Sequence, residues 1–351
     1  MILRLIPAAV LVAVAIGLTS CLADENSTKP STEYVPMDAP AGMSQAVIVQ
    51  GLPLVHTRQL LPLDAEGNPV GKDSIDKQIE QVLDNLEAVL KDSRSGLDKL
   101  VRLNVYALAT PTVDRVRELL VKRLDPLVRP VFTSVLTPLP HRDALVALDA
   151  VAVASDNGGK AVELNRCEAV AGKKNYADAA VLPPGGVAYL SGQPEDGTVT
   201  ELAVDRSMEQ LMKTMSLLKL SPEHVVHIKV FLRPMTSAEG VLAELKKFFP
   251  GRSTPPVVFV EWLASVPVEI EMVAQLPSMD KSADNVEFYT PPEVRPSTVF
   301  SKAALVNTDR QIYISGQYAR VSSRGEPQAI HVFGQLQEIL EKTGSDMRHM
   351  V

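Results

Sequence analysis

Residues 177–193 read ADAAVLPPGGVAYLSGQ, and residues 301–317 read SKAALVNTDRQIYISGQ. Both run from a short marker of small and polar residues, through two apolar stretches, to Ser-Gly-Gln. Residues 44–59, SQAVIVQGLPLVHTRQ, follow the same plan and end on Thr57-Arg58-Gln59. The first markers are Ser44-Gln45-Ala46-Val47, Ala177-Asp178-Ala179-Ala180 and Ser301-Lys302-Ala303-Ala304, each 13 or 14 residues ahead of the second. Gln59, Gln193 and Gln317 stand 134 and 124 residues apart. That is the period of a small domain, not of a solenoid.

Outward from these markers the same order of elements recurs. In unit one, Ala46 to Leu52 and Leu60 to Leu63 read as strands, with a turn at Asp64-Ala65-Glu66-Gly67. Ile75, Ile79, Val82, Leu83, Leu86, Val89 and Leu90 then recur at three- and four-residue spacing and predict a helix. Leu100 to Leu108 alternates as a strand, Val113 to Leu124 predicts a second helix ending before Pro126, and Val131 to Thr137 and Ala144 to Ala154 close the unit as strands. Unit two repeats this with strands at Val187 to Leu190, Val225 to Leu232, Val257 to Trp262 and Val266 to Leu276, and helices through Met208 to Leu218 and Ala238 to Phe249. Unit three has a strand at Ile312 to Ile314, Ser315-Gly316-Gln317 and a helix through Ile330, Phe333, Leu336, Ile339 and Leu340. By the template of unit one it is half a domain, expected to be a truncated copy. The order strands, helix, strand, helix, strands predicts an α+β fold of two layers, both helices on one face of the sheet.

The chain start differs from all this. One basic residue, Arg4, precedes an uncharged, mostly apolar run from Leu5 to Leu18 and then Thr19-Ser20-Cys21, which is the pattern of an export signal. Leu18-Thr19-Ser20-Cys21 resembles the bacterial lipobox, and that resemblance implies cleavage before Cys21, lipidation of its thiol, and residence in the cell envelope. Acyl chains contribute about 0.8 kcal/mol per buried CH₂ to such anchoring. Residues 22–41, rich in Ser, Thr, Pro, Asp and Glu, read as a tether. The organisation is then signal 1–21, tether 22–41, and units at 42–155, 160–276 and 285–351. Across the 351 residues, 42 acidic side chains against 35 basic give a net charge of −7, with no basic block to track a phosphate backbone, so a nucleic-acid partner is not expected. Two distant cysteines, Cys21 and Cys167, exclude a disulfide framework.

The markers Ser44-Gln45-Ala46-Val47 and Ser191-Gly192-Gln193, with the stretch from Leu83-Asp84-Asn85-Leu86 to Val105, resemble the RidA family, also called YjgF or L-PSP. The resemblance implies a chorismate-mutase-like α+β domain, assembly as a trimer, and clefts between neighbours that hydrolyse enamines and imines such as 2-aminoacrylate to keto acids and ammonia, without metal or organic cofactor. Three units in one chain then imply an intramolecular pseudo-trimer that takes a small-molecule ligand or substrate and meets the membrane only through its lipid.

The family's cleft needs an arginine for the substrate carboxylate, two residues after a proline at the start of the penultimate strand. By that match Phe132 stands there in unit one and Val257 in unit two, and neither can bind a carboxylate. Arg129 and Arg252 lie nearby in sequence. The closing strands match the family's water-activating carboxylate at Glu271 and Asp149, and Ser191-Gly192 and Ser315-Gly316 match its cleft turn. Two readings follow, with the arginine as discriminator: an enamine/imine deaminase with at most one competent cleft, built from unit three and a neighbour, or a degenerate member that binds a small apolar or weakly polar ligand in clefts lined by Phe132 and Val257 or serves as a scaffold. His224 and His227, on a strand start, point to opposite faces and make no metal pair. Cys167 reads as a buried apolar residue.

Overall fold

The computed structural model describes residues 29–156, 159–195, 200–280, 283–293, 296–297, 300–322 and 324–351. In chain order the strands are β1 Ser31–Val35, β2 Ala46–Gln50, β3 Leu54–Thr57, β4 Leu100–Ala107, β5 Val131–Leu136, β6 Val146–Val153, β7 Glu163–Asn165, β8 Ala179–Leu182, β9 Gly186–Glu195, β10 Val225–Leu232, β11 Val257–Glu261, β12 Val268–Leu276, β13 Val286–Tyr289, β14 Ala303–Val306 and β15 Arg310–Ile314. The helices are α1 Ile75–Asp92, α2 Thr110–Arg123, α3 Thr200–Leu217, α4 Ala238–Lys246 and α5 Glu326–Lys342.

Helical spacing puts Ile79, Val82, Leu83, Leu86, Val89 and Leu90 on one stripe of α1. That stripe packs with Val113, Val116 and Leu120 of α2 onto Leu103 and Val105 of β4 and Leu148 and Ala150 of β6. Each such side chain contributes about 1.5–3 kcal/mol when fully buried. Met208, Leu211 and Met215 of α3 and Val241 and Leu245 of α4 do the same on β10 and β12. Each helix pair therefore covers one face of a sheet, as the sequence predicts.

The sheets themselves cross unit boundaries. The first has the order β5-β4-β6-β3-β8-β7, the second β11-β10-β12-β9-β14-β13 and the third β1-β2-β15. Strands joined by three-residue connectors, β2 to β3, β8 to β9 and β14 to β15, never pair with each other. Instead β8 of unit two pairs with β3 of unit one, β14 of unit three with β9 of unit two, and β2 of unit one with β15 of unit three. The exchange closes a ring. Pro53 and Pro183-Pro184 lie in two of the connectors and lack the N–H that a hairpin ladder would use. The connectors themselves meet: Gly51 N–H donates to the Asp309 carbonyl at 3.1 Å, and Gly51 adopts φ +62° there. The helix-free faces converge on a shared core of Val47, Val49, Leu54, Val101, Val151, Leu182, Val187, Val226 and Tyr313.

Two expectations are corrected. Leu60 to Leu63 is not a strand; the strand is β3, and the segment makes only isolated bridges, Leu60 to Leu148 and Leu63 to Pro69. Residues 61–63 are instead tied to α1, where Asn85 Nδ2 donates to the Leu61 and Leu63 carbonyls at 3.0 and 2.9 Å. Residues 31–35, read as tether, form β1, whose Tyr34 hydroxyl donates to the Leu100 carbonyl. Cys21 and the signal segment lie outside the described residues.

Candidate functional site

Period-two alternation on β4 sends Leu103 and Val105 to the helices and Asn104 and Tyr106 to the opposite face. There Asn104 lies opposite Asp149 of β6. The Tyr106 hydroxyl donates to Asp149 Oδ1 at 2.6 Å and Asn104 Nδ2 to Oδ2 at 2.9 Å. Burial pushes the Asp149 carboxyl up despite these donors. Val258 and Val260 of β11 pack against Tyr106 and Ala147 beside it, so unit two lids this carboxylate.

The corresponding register in unit two sets Lys229 of β10 opposite Glu271 of β12. Lys229 Nζ lies 3.1 Å from Glu271 Oε1, and the Glu271 side chain is 37% exposed. Glu269, two residues back on the same strand face, has its carboxyl raised, first by burial and then by Glu271. Its carboxylate sits so close over Gly192 that a Cβ there would overlap it. Asp149 and Glu271 thus occupy matching positions with opposite fates, one sealed and one open.

Backbone hydrogen bonds to the partner unit show the true alignment of the second marker. Arg58, Ser191 and Ser315 each donate a backbone N–H to the residue before the incoming strand, Asp178, Lys302 and Gln45, at 2.9, 3.0 and 2.9 Å. The counterpart of Ser-Gly-Gln in unit one is therefore Arg58-Gln59-Leu60, one residue later than Thr57-Arg58-Gln59. Unit one is one residue shorter between its markers, which is the signal that could have revealed this.

Phe132 and Val257 hold equivalent register positions, opposite Leu103 and Ile228. Phe132 accepts from Gly316 N–H at 3.1 Å and donates its own N–H to Ser315 Oγ at 2.9 Å; Ser315 Oγ in turn donates to the Ser44 carbonyl. Val257 accepts from Gln59 N–H at 3.0 Å, and the Gln59 amide spans the Phe259 backbone with bonds of 3.1 and 3.3 Å. Both contacts are backbone zippers, and the Phe132 ring lies under the Arg117 guanidinium, 4.9 Å away. The structure thus brings Phe132 together with Ser315 and Gly316, and Glu271 with Glu269 and Gly192, while Ser191 spends its hydroxyl on the Ser301 carbonyl. Arg129 turns back to the Pro126 carbonyl. Arg58 and Arg166 are both paired with buried Asp178 at 2.6 Å. His224 bonds Ser221, whereas His227 stands beside His56, so the two are not a pair. Cys167 is buried, and burial pushes its thiol up.

Residues 36–154 match the family model described as Endoribonuclease L-PSP. Unit one is a RidA-family domain. Solved structures similar to this chain include a Rid-family protein of unknown function from Yersinia pestis (23% identity, 35% of this chain and 98% of that one, TM-score 0.30) and yeast Mmf1 (25%, 36% and 97%, 0.28). A YjgF-family member from Neisseria meningitidis is similar at 16% identity over 36% of this chain and 98% of that one, with a TM-score of 0.26. No curated protein matches the chain. The RidA-type sheet of unit one is completed by strands β8 and β7 of unit two.

Proposed function

We propose that this is a membrane-anchored RidA-type protein with one candidate hydrolytic cleft, at Glu271 of unit two, and that the matching position in unit one has become structural. The observation that carries this reading is the contrast between the two carboxylates: Asp149 is 4% exposed and tied to Tyr106 and Asn104, whereas Glu271 is solvent-accessible. In the reaction the enamine 2-aminoacrylate tautomerises to its imine. Glu271 takes a proton from water as the oxygen bonds to the imine carbon and the C=N pair moves to nitrogen; Glu271 passes that proton to nitrogen, and as the C–N bond breaks the carbinol hydroxyl gives up its proton and its pair forms the C=O, releasing pyruvate and ammonia. Lys302, hydrogen-bonded to Gln193, supplies a cation for the substrate carboxylate, while Lys229 is paired with Glu271.

Generating 2-aminoacrylate in situ and following keto-acid release tests this. The parent chain is expected to accelerate release, Glu271→Gln to lower the rate about 10²–10⁴-fold, and Asp149→Asn to leave it within about twofold. No acceleration by the parent chain retires hydrolysis. The second reading, a ligand-binding scaffold, then stands on Phe132 and Val257, which fill the two carboxylate-binding positions with apolar side chains. Anchoring through Cys21 is supported by the lipobox-like segment; Cys21→Ala is expected to move the exported protein from the membrane to the soluble fraction.

A further inference from the structure

The face of β4 that carries Asn104 and Tyr106 also carries Arg102, at the place where the three sheets converge. Arg102 Nε donates to Asn104 Oδ1 at 3.0 Å. Among the described residues its two terminal guanidinium nitrogens make no hydrogen bond and no ion pair. The nearest carboxylate on that face, Asp149, already accepts from Tyr106 and Asn104. His56 of β3 is 8% exposed, and its Nε2 is buried with no partner. His227 of β10 stands with its ring centroid 6.1 Å from that of His56 and is hydrogen-bonded to the Thr57 backbone. Tyr189 of unit two and Tyr313 of unit three also lie within the field of Arg102, and Lys229 within that of His227. The junction therefore holds the Arg102 guanidinium, an orphaned imidazole nitrogen and a second imidazole, supplied by two units, and among the described residues no carboxylate forms an ion pair with that guanidinium. A buried imidazole nitrogen without a partner is costly, and an anion that also meets the partly buried Arg102 guanidinium satisfies it.

We propose that the junction of the three sheets is a binding site for a small oxyanion, held by the Arg102 terminal nitrogens with His56 and His227. The site is independent of the Glu271 cleft. Bound there, the anion supplies the counter-charge that lets the imidazoles protonate. Burial and Arg102 hold His56 at about 4, so anion and proton uptake are coupled and affinity rises as pH falls.

The test is the melting temperature of the full chain against sulfate, divalent throughout the range, at constant ionic strength with chloride as the replaced anion. Sulfate is expected to raise the melting temperature with a half-effect concentration at least fivefold lower at pH 6 than at pH 8, and Arg102→Gln to raise that concentration at least tenfold. A parallel acetate series separates the sources: a lower half-effect concentration for acetate assigns the site to carboxylates, and the reverse assigns it to tetrahedral oxyanions. Equal shifts in the parent and in Arg102→Gln reflect exclusion of the salt from any protein surface and overturn the proposal. Should Arg102→Gln fail to fold, the ring-proton resonances of His56 and His227 in the parent chain decide. Displacement by either anion at pH 6 supports the site, and resonances that neither anion moves overturn it.

Discussion

Asp178 shows how one side chain joins two units. It is 1% exposed, pairs with Arg58 of unit one and Arg166 of its own unit, and accepts from the Cys167 N–H at 2.9 Å. Removing a buried partner leaves charge uncompensated, so Asp178→Ala is expected to lower stability by about 3–5 kcal/mol, read as a fall in the urea midpoint at unchanged slope. His56 makes the pH dependence explicit. The fold holds its imidazole neutral, at about 4 against 6.5 for the free group, through burial and then Arg102. Stability is therefore undiminished by His56 above pH 6.5 and falls progressively as pH drops from 6.5 towards 4, the loss reaching about 3 kcal/mol at the lower end. His227, also lowered by burial, adds a loss of the same sign. Urea titrations at several pH values in chloride buffer check this, and His56→Gln is expected to flatten the curve between those limits.

At the scale of elements, the helices and central strands were legible because their periodicity is strong and local. Val225 to Leu232 was read to the residue, and α1 to within two. Residues 60–63 were misread because Leu60, Leu61 and Leu63 look like a strand, whereas their backbone carbonyls are claimed by Asn85 from a helix turn. Asn85→Leu removes the side-chain donor to two partly buried carbonyls, of which Leu61 keeps the Leu63 N–H, and is expected to cost about 1–2 kcal/mol. The strands β1, β7 and β13 escaped notice because they are short and partly exposed, with their edge positions filled by polar residues. α5 differs from α1: eight of its counterpart's residues are buried, but only Ile339 and Leu340 of its own, while Ile330 and Phe333 are exposed. Hydrogen exchange is expected to be faster across α5 than across α1 for that reason.

For the molecule as a whole, the ring of exchanged strands decides cooperativity. The first sheet cannot be complete without β7 and β8, nor the second without β13 and β14, so neither unit holds its full ladder alone. Units one and two are expected to melt in a single calorimetric transition, with van't Hoff and calorimetric enthalpies in agreement for that transition; two separated peaks would show that the exchanged strands contribute little. The exchange also explains the uneven fate of the matching carboxylates. β11 of unit two covers the face of unit one that holds Asp149, and β5 of unit one lies along Ser315 and Gly316 of unit three. The carboxylate of unit two, Glu271, is the one left accessible to solvent.

Periodicity and internal repetition in the sequence determined the α+β class and the repeated order of elements, and the family resemblance pointed to Phe132, Val257, Asp149 and Glu271. The class and the order follow from spacing along one chain, which is local information. Which strand pairs with which unit, which carboxylate is sealed, and why Arg102, His56 and His227 meet were decided by tertiary structure. A strand's sequence fixes which face is apolar, but its backbone donors and acceptors accept any neighbour of compatible register, and here the neighbour comes from more than 120 residues away.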